Sequence, residues 1–495
     1  MKRLIPILLF LCTTSLTFSQ TQGQVGAYAY NFLNEQGSDG YYDCELVDVV
    51  EKISGNVTLP STVAYNGRNY KLRSIVGVED DSYRRFGKEF VSDVTTLNIP
   101  EGVVKITGSF RHFQHVRTIN VPSTVEEIDL EGLRFRMDDG YYADWFQYYP
   151  NVNNTFYDLE RINIYSDRLD FKSVDGVLYS KDGKTLILCP RGRRGVYDVP
   201  DGVTRLDVRS FYGCNQLTKI NLPYTLREIG DPASIDGNSS ALGVFAWCTN
   251  LQELSIPEGV ESICDYAFRN CATFRSLKFP KTMKVIGRSA CTRINDVRTI
   301  DWNNCHLDAI LNGAFEFQNW CDNSLPPYYK LSLPMHVKYI GNGAFTYCLA
   351  PEKLELSPDL EYIGTDAFTF YHENSDATLT ERLAPIKEIY NYMTTPLDVN
   401  YRIFGSGERY VKSWAIDCTL YVPYGSAAAY EAHSFWSLFG TIKEFDATLP
   451  EEAGVRNVTE STNRRSSIYD IQGRTVKGDM KKGVYIINGR KVMIP

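Results

Sequence analysis

The sequence is poor in the residues and motifs on which most enzymes depend. It has six histidines among 495 residues and no HExxH pair, GxSxG elbow, Walker loop or EF-hand loop. No CxxC pair occurs among its twelve cysteines, so paired-thiolate zinc sites lack support. The formal net charge is −8, whereas nucleic-acid-binding proteins usually carry a basic face. We therefore predict no catalytic, cofactor or metal site and no nucleic-acid partner.

Long apolar runs are also scarce, and the one at the amino terminus has the pattern of an export signal. Lys2 and Arg3 precede an apolar run over Leu4–Leu11, and Thr17–Ser19 supplies small residues before a cleavage site at Gln20. The run is far shorter than the roughly 20 residues of a membrane-spanning helix. A lipoprotein anchor at Cys12 is disfavoured because no small residue precedes that cysteine. We expect export to the cell surface, the outer membrane or the extracellular space.

A repeated pattern takes the place of the missing motifs. Leu254 and Ile256 precede Pro257, Val260 and Ile263 follow it, and the same apolar spacing recurs around Pro280. Other markers of the series are Pro60, Pro100, Pro122, Tyr165, Pro200, Pro223, Asn303, Pro334, Ser357 and Pro423. One unit of this length cannot bury a core, but stacked units share one. The pattern predicts a β-rich solenoid of repeats of about 23 residues.

Phenylalanine and cysteine recur at fixed places in this frame, with the phenylalanine shortly before the cysteine. The pairs are Phe211 and Cys214, Phe245 and Cys248, Phe268 and Cys271, and Phe345 and Cys348. Cysteine packs as a small apolar residue, so we interpret the pairs as a structural ladder rather than as metal or disulfide sites. The cysteines off this ladder, among which a disulfide stays an open alternative, are Cys44, Cys189, Cys264, Cys305, Cys321 and Cys418.

The consensus LxxLxLPxxLxxIxxxAFxxC, best seen in Leu251–Cys271 and Leu331–Cys348, resembles the BspA-type leucine-rich repeat of surface proteins of anaerobic bacteria, including Bacteroidetes. The resemblance covers roughly residues 57–445. It implies a right-handed, capped leucine-rich-repeat solenoid, a cell-surface location and adhesion to a host or microbial protein or glycan. It implies no enzymatic activity for this module.

The repeats are predicted to lie between terminal caps. We expect a signal peptide (1–19), an N-terminal cap with the first repeat (20–92), the solenoid (93–423), a C-terminal cap (424–446), a linker (447–466) and a β tail (467–495). Insertions are predicted at 131–156, 166–196, 231–241, 316–330 and 372–383. The insertion at 166–196 has two Asp-Gly pairs, Asp175-Gly176 and Asp182-Gly183, and these predict hairpin turns.

The carboxyl-terminal tail carries a second resemblance. Tyr469-Asp470, Gly473-Arg474, Lys482–Tyr485 and Lys491-Val492 resemble the sorting domain of the type IX (Por) secretion system. This implies the outer-membrane export machinery as a partner, although only the last segment matches. The alternative is a small β domain that contacts the envelope.

Aromatic residues in two insertions are the candidate ligand-binding residues. They are Tyr141, Tyr142, Trp145, Phe146, Tyr148, Tyr149, Trp320, Tyr328 and Tyr329. Insertions between repeats often form loops on the binding face, and tyrosine and tryptophan offer large rigid surfaces. The alternative is that these rings pack their own loops onto the repeats.

Three functions are compatible with the sequence. The favoured one is a binding or adhesion protein, and the alternatives are a structural envelope spacer or scaffold and a hydrolase with its site in the insertions. The closely spaced His112 and His115 leave open a metal pair for which no third ligand is evident.

Overall fold

The computed structural model describes residues 21–76, 93–107, 113, 115–130, 157–230, 243–271, 273–294, 299–302, 305–316, 333–348, 351, 353–370, 386–405, 408–448, 468–470, 483–487 and 490–494. The predicted signal peptide, the insertions 131–156, 231–241 and 372–383, and nearly all of insertion 316–330 and of the linker lie outside these residues. The chain divides into two compact units, residues 1–133 with 164–169, and residues 134–163 with 170–495.

The first unit contains ten described strands. They are β1 (Thr21–Val25), β2 (Tyr28–Gln36), β3 (Tyr42–Val49), β4 (Ser54–Thr58), β5 (Thr62–Tyr65), β6 (Arg68–Ile75), β7 (Asp93–Asn98), β8 (Lys105–Ile106), β9 (Thr118–Val121) and β10 (Glu127–Ile128). Strands β1, β2 and β3 pair antiparallel, whereas β3, β6, β8 and β10 pair parallel in the same sheet. Strands β4, β7 and β9 form a second parallel set. A turn at Asn66-Gly67 joins β5 to β6, and both residues have the positive φ that a tight hairpin turn requires.

The second unit contains the longer series of strands, except that Ile164, the last residue of the first of them, belongs to the first unit. They are β11 (Arg161–Ile164), β12 (Phe171–Val174), β13 (Val177–Ser180), β14 (Thr185–Leu188), β15 (Gly195–Asp198), β16 (Arg205–Leu206), β17 (Leu217–Asn221), β18 (Glu228–Ile229), β19 (Glu253–Ser255), β20 (Ser262–Ile263), β21 (Ser276–Lys278), β22 (Val285–Ile286), β23 (Thr299–Asp301), β24 (His306–Ile310), β25 (His336–Ile340), β26 (Lys353–Leu356), β27 (Tyr362–Ile363), β28 (Glu388–Asn391), β29 (Thr419–Pro423), β30 (Thr441–Phe445), β31 (Ile468–Asp470), β32 (Gly483–Ile487) and β33 (Arg490–Ile494).

Three sheets of this unit are wholly or largely parallel. The sheet order β12-β13-β14-β16-β18-β20-β22-β24-β25-β27 begins with two antiparallel pairings, at the predicted Asp-Gly hairpins, and is parallel thereafter. The orders β15-β17-β19-β21-β23 and β26-β28-β29-β30 are parallel throughout. The described part of the second unit is therefore rich in β-strands and has several parallel sheets, as expected when each repeat adds one strand to each sheet.

The strand register follows the repeat frame. Ile263 pairs with Ile286, one basic repeat step further on, whereas Ile229 pairs with Ile263 across a longer connection. The excess length equals that of the predicted insertion 231–241. In the sheet β26-β28-β29-β30, Leu354 pairs with Ile389. The connection between them again exceeds one repeat by the length of a predicted insertion, 372–383. Added residues therefore leave the pairing of the flanking strands intact.

The ladder phenylalanines form two runs of stacked rings in the core. Phe245 stacks on Phe211 and Phe268 with centroids 5.4 and 5.3 Å apart. Phe345 stacks on Phe315 and Phe368 with centroids 5.3 and 6.1 Å apart. All these rings are buried, within one apolar cluster that extends from Val177 to Phe439.

Cys291 takes the ladder position between the two runs. Each ladder residue donates its backbone N–H to the carbonyl just before the ladder residue of the next repeat. The bonds are Phe245 to Ala267 at 2.8 Å, Phe268 to Ala290 at 2.7 Å, Cys291 to Ala314 at 2.7 Å and Phe315 to Ala344 at 2.8 Å. The backbone ladder therefore continues where the ring stack is interrupted.

The turns after several of the short strands use left-handed backbone at a recurring position. Tyr266, Ser289, Gly313, Gly343 and Asp366 all have φ between 49° and 63°. Such φ values suit glycine and strain other residues. Gly287 lies shortly before this position in its own repeat, and there glycine is required by a close backbone contact rather than by φ. A Cβ atom there would lie 2.5 Å from the backbone carbon of Cys264 in the preceding repeat.

The carboxyl-terminal part of the second unit contains the described helices. They are α1 (Glu408–Ala415), α2 (Ala427–Glu431) and two 3-10 helices, Tyr401–Phe404 and Trp436–Leu438. Tyr430 and Trp436 are fully buried and donate to the carbonyls of Met393 and Leu397 at 2.7 and 2.9 Å. Strands β31, β32 and β33 pair antiparallel. Among the described residues, no helix has the length and apolar character to cross a membrane.

Candidate functional site

The aromatic residues predicted to bind a ligand, from Tyr141 to Tyr149 and from Trp320 to Tyr329, all lie outside the described residues. So does His112, whereas His115 is described and exposed. Predictions that concern the insertion loops and the histidine pair therefore stay predictions.

The structure brings together a different aromatic set on the sheet β26-β28-β29-β30. Leu354, Ile389, Leu420 and Ile442 occupy one cross-strand row, and the first three of them are buried. The next row is Glu355, Tyr390, Tyr421 and Lys443, which points to the opposite face because side chains alternate along a strand. This outer row has an acidic residue at one end, two half-buried tyrosines in the middle and a lysine at the other end.

Two more rings complete what we call the tyrosine patch: Tyr390, Tyr392, Tyr421 and Phe445. Tyr390 and Tyr421 stack with ring centroids 4.3 Å apart and planes 6° apart. Phe445 meets Tyr390 and Tyr392 edge to face, with centroids 5.3 and 5.1 Å away. Every ring of the patch is partly exposed.

Charged side chains cover the outer faces of the stacked pair. Lys353 Nζ lies 5.1 Å from the centre of the Tyr390 ring, and Lys443 Nζ lies 6.0 Å from that of Tyr421. Lys353 also pairs with Glu355 across 2.8 Å. The hydrogen bond to Glu355 is the main reason why the pKa of Lys353 is raised, so this ammonium stays charged.

The phenol groups of Tyr390 and Tyr392 remain protonated at neutral pH. Partial burial, followed by the Glu388 carboxylate, raises the pKa of Tyr390, and partial burial, followed by Glu355, raises that of Tyr392. The Tyr392 hydroxyl donates to Glu355 and the Tyr421 hydroxyl to Glu388, each across 3.4 Å. The patch therefore presents ring edges, hydroxyl groups and flanking charges of both signs.

The ladder cysteines make contacts that spacing alone does not reveal. The thiols of Cys248, Cys271 and Cys348 donate to the carbonyls of Phe211, Phe245 and Phe315 in the preceding repeat, across 3.1, 3.2 and 3.2 Å. Cys214 donates similarly to Cys189 O at 3.5 Å. Burial raises the pKa of Cys271 to about 12, so its thiol is protonated at neutral pH.

The off-ladder cysteines have a similar environment. Cys44, Cys189, Cys264, Cys305 and Cys418 are buried free thiols, and Cys321 lies outside the described residues. The disulfide left open by the sequence is therefore not formed among the five that the structure describes.

The structure also contains a cluster of two histidines and an aspartate that the sequence did not predict. His306, His336 and Asp359 each offer one ligand atom, and these atoms lie within 4.8 Å of one another. The two histidines are separated by more than one basic repeat step, so a search at that step misses them. The two histidines become equivalent only when β24 and β25 are aligned across the predicted insertion at 316–330.

Comparison with protein families finds six copies of the BspA type leucine rich repeat region, over residues 197–234, 241–329 and 327–400. No curated protein matches the sequence.

Several solved structures are similar in part. The pneumococcal vaccine antigen PcpA is 15% identical, with 86% of this chain and 99% of that chain covered at a TM-score of 0.34. A leucine-rich repeat protein from Bacteroides ovatus is 15% identical, with 86% and 100% covered at a TM-score of 0.34. A leucine-rich cell surface protein from Faecalibacterium prausnitzii is 17% identical, with 57% and 95% covered at a TM-score of 0.26.

Proposed function

We propose that this chain, whose BspA-type leucine-rich repeats match over residues 197–400, is an exported, non-enzymatic binding protein that takes a protein partner on the tyrosine patch. The repeats form the scaffold of a capped solenoid at the cell surface or outside the cell. The single observation that supports the proposal most is the stacked pair Tyr390 and Tyr421, partly exposed between two lysines.

The orientation of these rings favours a protein over a glycan. A sugar ring stacks on a free aromatic face, but each face of the pair is covered by the other tyrosine or by a lysine. What remains outward is tyrosine edges and hydroxyls next to Glu355, Glu388 and Lys443. Tyrosine is enriched in protein interfaces because it combines apolar area with a polar tip, and surrounding charges set the orientation of the partner.

The test uses the mature chain, residues 20–495, against a panel of purified matrix proteins and a glycan array. The variant Tyr390→Ala with Tyr421→Ala should lose at least about tenfold in affinity for the captured protein, since central aromatic residues dominate interface energies. Tyr224→Ala is the matched control, because Tyr224 is 74% exposed and lies outside the patch. Lys443→Glu reverses a charge at the edge of the tyrosine patch, and it should weaken binding of the captured protein while the chain stays folded.

Each outcome is informative. Capture that survives the double tyrosine variant, with circular dichroism unchanged, overturns the role of the patch. Glycan capture that disappears on deletion of 131–156 would instead support the aromatic insertion. No capture by any probe, together with a cellular effect of shortening the repeat array, would favour the spacer or scaffold.

A further inference from the structure

Three successive repeats place potential metal ligands at equivalent positions of the ten-stranded sheet that contains β24, β25 and β27, which we call the long sheet. His306 and His336 are the first residues of β24 and β25 and are register partners. Asp359 follows His336 by one basic repeat step and lies shortly before β27. Because neighbouring parallel strands lie about 4.8 Å apart, equivalent side chains of successive repeats are adjacent.

The side chains already converge. The imidazole rings of His306 and His336 stack with centroids 4.1 Å apart and planes 17° apart. His336 Nδ1 lies 2.8 Å from Asp359 Oδ2. His306 and Asp359 are exposed and His336 is half-buried, so the cluster is open to solvent and to an entering ion.

Two imidazoles and one carboxylate are a donor set that zinc uses when a fourth position is left to water. With metal–ligand distances of about 2.0–2.2 Å, ligand atoms of a tetrahedral ion lie roughly 3.4 Å apart. The donors here lie within 4.8 Å of one another, so side-chain rotations that take the two imidazoles out of their stack bring the donors to a common ion. Rotations of this kind are accessible to exposed side chains and need no movement of the strands.

Charged residues of both signs lie next to the cluster. Further along the same strands, Asp308 and Lys338 form an ion pair at 3.0 Å and neutralise each other. Glu361 is the equivalent residue of the next repeat and adds a negative charge next to Asp359. Lys284 is the equivalent residue of the preceding repeat, where its carbonyl accepts from Asp308 N–H, so the charges of this row alternate in sign and Asp359 itself supplies the negative charge of the cluster.

We propose that His306, His336 and Asp359 form a surface site for a divalent transition-metal ion of the zinc type. Because the three ligands come from three consecutive repeats, metal binding stabilises this part of the array. The site lies on the long sheet, which is not the sheet of the tyrosine patch, and its test is independent of the proposed binding function.

Isothermal titration of the untagged mature chain with Zn²⁺ at pH 7.5 tests the proposal, with Mg²⁺ as the comparison ion. We expect one zinc ion per chain, a raised melting temperature in its presence and no comparable heat with Mg²⁺. His306→Gln and His336→Gln should each weaken zinc binding by at least about tenfold, since each removes a ligand. Asp359→Asn should weaken it too, because the amide is a poorer ligand and a poorer partner for His336.

His115→Gln is the matched control, because His115 is an exposed histidine outside the cluster. This variant should bind zinc as the parent does. Zinc binding that is unchanged in both His306→Gln and His336→Gln overturns the proposal. So does the absence of any binding up to millimolar Zn²⁺, which would leave the stack as an ordinary cross-strand pair. Loss of binding in His115→Gln alone would assign the zinc to the amino-terminal histidines instead.

Discussion

If the stacked rings hold the repeats together, neighbouring rings must be energetically coupled, and distant rings must not. Phe245 and Phe268 are adjacent in the stack, with centroids 5.3 Å apart and planes 4° apart. Phe211 and Phe345 belong to different runs and share no stacked neighbour. Replacement by leucine keeps each site apolar and removes the ring, so it isolates the contribution of stacking.

The expected magnitudes follow from burial and pairing. Each ring is fully buried, so a single Phe→Leu change should destabilise by about 1–3 kcal/mol. A stacked aromatic pair contributes about 0.5–1.5 kcal/mol beyond its buried area. Each single variant removes the stacked pair, so the sum of the two single effects counts its loss twice. The variant Phe245→Leu with Phe268→Leu loses the pair only once. The double variant should therefore be less destabilised than the sum of the single variants by about that amount.

The assay is equilibrium urea unfolding followed by circular dichroism, with the dependence on urea compared among variants. Amide hydrogen exchange at Phe245, whose N–H donates to Ala267 O at 2.8 Å, reports the same region locally if the array opens in segments. The variant Phe211→Leu with Phe345→Leu is the control and should be additive within about 0.5 kcal/mol. An adjacent pair that is as additive as this control would refute nearest-neighbour coupling.

Two further predictions concern the thiols and the turns. Because burial raises the pKa of Cys271 from 9 to about 12, only the unfolded chain loses this proton between these pH values, and stability should fall by up to about 1.4 kcal/mol per pH unit for this thiol. Urea midpoints at pH 8, 9 and 10 should show a shallower decline in Cys271→Ala, and identical slopes would contradict the assignment. Ser289→Gly should raise the free energy of unfolding by up to about 1 kcal/mol, because φ at Ser289 is +49° and the next repeats have Gly313 and Gly343 there. Gly287→Ala, close by in the same turn, should lower it by about 1–3 kcal/mol through contact with the Cys264 backbone, and urea unfolding of both variants checks the pair.

The sequence predicted the parts of the fold that depend on spacing. Proline markers and the Phe-Cys pairs predicted a β-rich repeat, and the Asp-Gly pairs predicted hairpins that the structure contains. Both rest on local chemistry, since apolar residues at a fixed step must be buried together and Asp-Gly favours tight turns.

The candidate sites were missed because they depend on register across interrupted repeats. Tyr390 pairs with Tyr421, and His306 with His336, across connections longer than one repeat, so neither pair shows the basic step. Adjacency there is decided by which strands pair in three dimensions. The hydrogen bonds from Cys248 and Cys271 were missed for another reason, since spacing shows where a thiol lies but not where its proton points.

Ile229 pairs with Ile263 as closely in register as Ile263 pairs with Ile286, although the first connection is longer than the second. Doubling the length of a flexible connection costs only about 0.6 kcal/mol of closure entropy. Segments between the strands are therefore free to grow, shrink or be exchanged while the pairing beneath them is kept. A graft of foreign peptide at residues 231–241 should leave the pairing of Ile229 with Ile263 unaltered, and sequence variation can accumulate there without disturbing how the flanking strands fold.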